Sequence, residues 1–208
     1  MPLKETPINA PVFDAVVETS PAVERALMQA AQGDLRQFAP LYEQYAPRLY
    51  AYCRRRSATE QEAEDLTSQV FTRALGAIRS YQGGHVGAWL FQIARNVLID
   101  HWERDQRHDH SPLDKVQDQP APYPSPAEVV AEADEQAHLR ELIRRLPRDQ
   151  QEVIDLKLSA GLSAEEIGLT LGKSAGTVRV ALHRAIKRLQ KWYRASVVGD
   201  FQEEVQDE

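Results

Sequence analysis

Apolar residues recur along this chain at steps of three and four, and no alternating run argues for a strand. Leu35, Phe38, Leu41, Tyr42, Tyr45, Leu49 and Tyr52 fall on one helical face, which Pro40 and Pro47 should bend. Thr59 and Glu62 have the spacing of a capping box. The helix they open carries Ala63, Leu66, Val70, Ala74 and Ile78 on one side. Its other side shows Glu62, Asp65, Ser68, Gln69 and Thr72. A third helix, from about Val86, turns Leu90, Ile93, Ala94, Val97 and His101 inward. Gln92, Arg95, Asn96, Ile99 and Glu103 then point outward.

The same periodicity returns in "GLSAEEIGLTLGKSAGTVRVALHRA". Ser163 and Glu166 form a second capping box, with Leu162 placed to staple onto Ile167. The short helix stops at Gly172, and Ser174 caps another, so the pair reads as a helix-turn-helix. In its second helix Val178, Leu182, Ala185, Leu189 and Trp192 make the core face. Gly176, Val180, His183, Arg184, Lys187, Lys191 and Arg194 make the opposite face, with Arg179 at its flank.

Proline divides the chain. "SPLDKVQDQPAPYPSP" holds five of the 12 prolines and no regular apolar pattern, so it reads as an extended linker. The pattern predicts an all-α protein: a leader over 1–20, a helical domain over 21–110, a Pro-rich acidic linker over 111–134, a helix-turn-helix domain over 135–195 and an acidic tail over 196–208.

Charge changes this picture in one place. The 208 residues carry a formal charge of −6, yet Ile167 to Gly199 holds seven basic residues and no acid. A cationic face on the second helix of a helix-turn-helix suits the major groove. Its N-terminal residues reach bases and the rest hold phosphates. The one cysteine, Cys53, excludes a disulfide framework. The opening residues show no secretion signal, no apolar run is long enough for membrane insertion, and a cytoplasmic setting is expected. "GLTLGKS" misses a phosphate loop because Ile167 stands where the first glycine belongs. The histidines of "HWERDQRHDH" lack a regular ligand spacing. Without a nucleophile–base pair, metal set or phosphate loop, the chain is expected to be no enzyme and to need no cofactor.

Three stretches together resemble the bacterial extracytoplasmic-function sigma factors, over roughly residues 24 to 190. "EAEDLTSQVFTRAL" is similar to that family's polymerase-binding helix, "WLFQIARNVLIDHWER" to its promoter-melting helix, and "LPRDQQEVIDLKLSAGLSAEEI" with "SAGTVRVALHRA" to its minus-thirty-five reader. The resemblance implies that Glu62, Asp65, Ser68, Gln69 and Thr72 dock on the clamp helices of core RNA polymerase. It implies that Tyr81, His85, Trp89, Gln92, Arg95 and Asn96 meet the separated strands of the minus-ten element. Lys173, Gly176, Thr177, Arg179, Val180, His183, Arg184, Lys187 and Lys191 would meet duplex DNA at minus thirty-five. Promoter DNA, duplex and single-stranded, would be the substrate, and an anti-sigma factor a further partner. The chain departs from the family where Gln69 replaces the usual Glu and Val180 the usual Ser. The other reading is a helix-turn-helix regulator that binds duplex DNA without polymerase.

Overall fold

The computed structural model describes residues 19–108 and 132–203, with side chains placed over 19–104 and 137–196. The described residues form eight α-helices and no strand. Helices α1 (Pro21–Gly33), α2 (Ala39–Arg54), α3 (Glu60–Ala77) and α4 (Val86–His108) make the first half. Helices α5 (Glu132–Arg144), α6 (Arg148–Ala160), α7 (Ala164–Leu171) and α8 (Ala175–Glu203) make the second. Two short 3-10 turns, Leu35–Phe38 and Ile78–Ser80, join neighbours in the first half. The leader up to residue 18, most of the expected linker and the last five residues lie outside the described ones. Helix α5 starts at Glu132, inside the stretch read as linker, and α8 runs on into the stretch read as tail.

Each predicted cap forms. Thr59 Oγ1 accepts from Glu62 N at 3.1 Å, and the Glu62 carboxylate accepts from the N–H groups of Ala58 and Thr59 at 2.6 and 3.4 Å. Ser163 and Glu166 repeat the device on α7, and Ser174 caps α8 through Thr177 N at 3.1 Å. Such caps satisfy N–H groups that have no partner within the helix. Between α7 and α8 the chain turns too tightly for a side chain. A Cβ on Gly168 would stand 2.6 Å from the carbonyl oxygen of Lys173. Gly172 then closes α7 in the left-handed conformation, with φ 65°.

The long face read from Leu35 to Tyr52 is corrected in two places. Leu35 is 55% exposed, because Asp34 opens a 3-10 turn there and shifts the residue off the α2 face. Tyr42 is 50% exposed and leans on the Phe71 ring at 4.5 Å. Leu41, Tyr45, Leu49 and Tyr52 are buried. Pro40 lies in the first turn of α2, where no hydrogen bond is lost, while Pro47 is inside it. On α3, Ala63, Leu66, Val70 and Ala74 are buried, as is Ile78 in the 3-10 turn that follows.

The two halves, each a helical domain, do not stand apart. Instead α2 packs on α6, and α4 packs on α7. One buried cluster runs from Met28 to Val178 and includes Val153, Leu156, Ala160, Leu162 and Ile167 from the second half. A smaller one, with Ile143, Leu146, Ile154 and Ala185, holds α8 to α5 and α6. Polar contacts line the seam between halves. The Asp155 carboxylate, 5% exposed, lies 3.2 Å from Arg55 Nη1 and 2.9 Å from Arg56 Nη2. Arg56 also lies over the Tyr52 ring at 4.0 Å. Arg48 donates to the Ala160 carbonyl through Nε at 2.7 Å, and Thr170 Oγ1 donates to the Ala88 carbonyl at 3.3 Å. Gly87, early in α4, admits this closeness. A Cβ there would meet Glu166 Oε1 and Tyr45 Oη at 3.1 Å and Leu162 Cδ2 at 3.2 Å.

Two outcomes are expected. Gly87→Val places a branched side chain into the seam from both sides. Small-angle scattering should show a larger radius of gyration for the variant with helical content unchanged; an unchanged radius would show that the seam accommodates it. The second concerns the cap of α3. Burial pushes the Glu62 carboxyl up, but the Ala58 N–H, His101 and the Thr59 N–H outweigh it and hold it below the ordinary glutamate range. A carboxyl depressed on folding stabilises at pH above its unfolded value, and that stability is lost as pH falls through the folded one. Thermal melts of Glu62→Gln should therefore lie below wild type at neutral pH and converge with it on acidification.

Candidate nucleic-acid interface

Helix α8 turns its apolar side inward: Val178 and Ala185 are fully buried, and Leu182, Leu189 and Trp192 are partly so. That fixes its outer side by elimination. Lys173, Gly176, Thr177, Arg179, Val180, His183, Arg184, Lys187 and Lys191 are all exposed. The structure thus brings the whole expected reader set to one open surface. The Thr177 hydroxyl shares a hydrogen bond of 2.9 Å with Ser174 Oγ. Val180, 50% exposed, borders a shallow cleft with Asp149, Gln150 and Arg184, where α8 passes the first turn of α6. Arg188 Nη1 donates to Gln150 Oε1 at 3.2 Å and ties the two helices. Arg179 donates to Glu165, in the first turn of α7.

The loop before α4 carries Gly83 and Gly84 with φ of 98° and 101°. The Gln32 side chain grips its start, donating to the Ile78 and Tyr81 carbonyls at 3.1 and 2.7 Å. Of the residues expected at the minus-ten element, Gln92 and Asn96 are exposed, and His85, Trp89 and Arg95 are half-buried. Tyr81 is corrected: it is 6% exposed, donates its hydroxyl to the Gly84 carbonyl at 2.8 Å, and meets the Trp89 ring edge-on at 5.5 Å. Burial raises its phenol above the ordinary range. Tyr81 therefore shapes the loop and presents Trp89. Arg95 is not free either, since its Nε donates to Glu152 Oε1 on α6 at 2.7 Å. His85 Nδ1 lies 3.9 Å from Glu166 Oε1 on α7. The second half thus covers the start of α4 and one of its outward cations.

On α3, Asp65, Ser68 and Thr72 are exposed, and Glu62 and Gln69 half-exposed. Glu62, Asp65 and Gln69 line an open cleft together with Thr59, Gln61, Leu66 and His101. His101, read as inward-facing, bonds the Glu62 carboxylate from α4. The Asp100 carboxylate accepts from Arg73 on α3 at 2.6 Å, and Arg104 bonds the Asp100 backbone carbonyl at 2.9 Å. Sequence reasoning missed Glu152, Asp155 and Glu165 as partners of arginines. An acid in a first helical turn already has a reason to be there, so Glu165 gave no signal of its own. Among the described residues no group of three or more His, Cys, Asp or Glu side chains could hold a metal, and no helix is long and apolar enough to cross a membrane.

Residues 41–108 match the family described as Sigma-70 region 2, and residues 137–189 match Sigma-70, region 4. The chain is 37% identical over 171 residues to the ECF RNA polymerase sigma factor BldN of Streptomyces coelicolor, covering 81% of this chain and 63% of that protein. It therefore spans less than two thirds of that relative's length. It is 33% identical over 172 residues to the ECF RNA polymerase sigma factor ShbA of Streptomyces griseus subsp. griseus, covering 78% of this chain and 90% of that one. Among solved structures, the sigma factor RpoE in complex with the anti-sigma factor NepR from Bartonella quintana superposes with a TM-score of 0.57 at 26% identity, over 76% of this chain and 98% of that one. With both regions matched in order on an all-helical fold, the chain belongs to the extracytoplasmic-function family of RNA polymerase sigma factors.

Proposed function

We propose that this chain directs core RNA polymerase to promoters by reading the minus-thirty-five element with α8 and opening the minus-ten element with α4. The observation that supports it most is the pairing of two faces in one chain. The basic side of α8 is open to solvent, and the polar side of α3, with Asp65, Ser68 and Thr72, is open as well. A duplex-binding regulator needs only the first. In this reading the α3 face docks on the polymerase clamp, Trp89 and Asn96 meet unpaired bases, and Lys187 and Lys191 hold phosphates. An anti-sigma protein, such as the one bound to the Bartonella relative, is a natural regulator.

The closed seam bears on how this works. Two elements one to two duplex turns apart are separated by about 35–70 Å. Here Thr170 of the helix-turn-helix touches Ala88 of the melting helix at 3.3 Å. One chain cannot span both elements in this state, so α6 and α7 must leave α2 and α4 when polymerase loads. Between α4 and α5 lie 23 residues, 109–131, and a chain of that length can reach about 3 Å per residue, enough for the separation.

The direct test is run-off transcription with purified core polymerase across genomic fragments. Full-length chain should give discrete start sites, and Asp65→Arg should lose them together with co-purification on core; a truncated charge pair at such an interface costs about 2–5 kcal/mol. Tight, site-specific duplex binding without core, and no transcripts with it, would favour the regulator instead. Opening has its own test. Cysteines at Arg95→Cys and Glu152→Cys can be joined by a short reducible bismaleimide. Cys53 will not compete, being fully buried with its thiol pushed up to about 11 by that burial. The bridged protein should transcribe at least about tenfold less than the same sample after reduction. Equal activity before and after would show that the halves need not part.

A further inference from the structure

Two arginines on the outer face of α8 stand near its N-terminal end, Arg179 and Arg184, and the sequence treats them alike. The structure does not. Arg179 Nη2 donates to Glu165 Oε1 across the turn from α7, whereas Arg184 makes no hydrogen bond or ion pair among the described residues. Glu165 is not needed for the cap of α7. Its neighbour Glu166 does that work, accepting from Ser163 N at 2.9 Å and Ser163 Oγ at 2.8 Å. Both members of the pair remain more than half exposed, with side chains at 61% for Arg179 and 53% for Glu165. A carboxylate is thus held at the rim of a surface that must approach a polyanion. Every phosphate contact nearby is weakened by it. The α7 terminus favours an acid at this position, and this one in addition reaches across the turn to Arg179.

We propose that Glu165 is a positioning residue for promoter specificity: it holds Arg179 as the arginine that reads a guanine and leaves Arg184 to the phosphates. The assignment rests on the promoter-reading role of α8 given above. Three physical effects act together. A free arginine loses rotamer freedom on binding, and one already paired loses less. The bond from Nη2 to Glu165 uses one of five N–H donors, and the remaining ones still offer an edge for the O6 and N7 of guanine. Finally, the carboxylate makes Arg179 a poor general anchor, since any phosphate that approaches it also meets the negative charge. Discrimination then comes in part from a contact made unfavourable on the wrong surface. Arg184 carries no such penalty from α7, and its fully donor-rich head is suited to phosphate oxygens.

The experiment uses the full chain assembled with core polymerase. Selection from promoters randomised in the upstream element gives base preferences, and competition binding over a range of salt gives the slope of affinity with salt. Arg179→Ala should abolish preference at one base pair. Glu165→Ala should weaken preference at that same pair by about fivefold to tenfold. It should also tighten binding to non-specific duplex and steepen the salt slope by up to about one unit. Glu165→Gln, which keeps an oxygen acceptor but no charge, should fall between, and it serves as the test if the alanine variant melts early. Arg184→Ala should weaken binding evenly across sequences and flatten the slope. The proposal is overturned if both Glu165 variants keep the wild-type preference at every position. It is equally overturned if they lower affinity uniformly, as a merely structural residue would. A wild-type holoenzyme with no base preference in the upstream element would instead overturn the promoter reading of α8, which separates the two failures.

Discussion

A carboxylate with 5% of its surface in water needs its charge answered where it stands. For Asp155 the answer comes from the other half of the chain, through Arg55 and Arg56 at the end of α2. Removing one member of such a pair leaves an uncompensated buried charge, typically at about 3–5 kcal/mol. Around it the packing is apolar and continuous, with Leu156 and Ala160 of α6 and Leu162 before α7 fully buried. This seam decides what each half presents. It takes the α6 and α7 sides of the second half out of water and leaves the outer face of α8 open. It covers the beginning of α4 and leaves the α3 face open.

The seam is also a mixture that suits reversibility. Its centre is hydrophobic, but its edges are the Arg95–Glu152 pair, with side chains 38% and 25% exposed, and the more distant His85–Glu166 contact. Partly exposed pairs of this kind contribute little net stability and are screened by salt. A competing polyanion or acidic surface can capture Arg95 without first paying for a fully buried ion. The deep contacts hold the seam together, and the shallow ones cost less to break.

Much of this was legible in the sequence, and the reason is local. A helical period states which side of a segment is apolar, and on α3 and α8 every residue read as core lies inward. Capping boxes were equally legible, because both partners lie within three positions. The errors came where periodicity has no authority. Leu35 follows the α2 spacing, but the chain there winds as a 3-10 turn. Tyr81 lies in a loop, and only the tertiary position of Gly84 and Trp89 turns it inward. Arg48, Arg55 and Arg56 carried no signal of a partner, and Arg95 was read only as outward-facing on α4. Their partners lie 57 to 112 positions away, beyond a proline-rich stretch that suggested independence. The outer face of α8 was found from helical period and charge together, but the division between its two arginines was not. It depends on a side chain from the preceding helix, whose acidity the helix terminus already accounted for.

The Gly87 contact carries a consequence for how such a protein can change over generations. Where a glycine Cα in one half stands against Leu162 and Glu166 of the other, neither half can drift alone. A larger residue at 87 calls for a smaller one across the seam, and a lost acid at 152 or 155 strands an arginine 57 or 100 positions away. A chimera that joins this chain's first half to a different second half keeps this seam only if Glu152, Asp155, Leu162 and Glu166 are kept. The open face of α8 makes no contact with the seam, so substitutions there carry little structural risk, whereas exchange of the whole second half replaces one side of the seam.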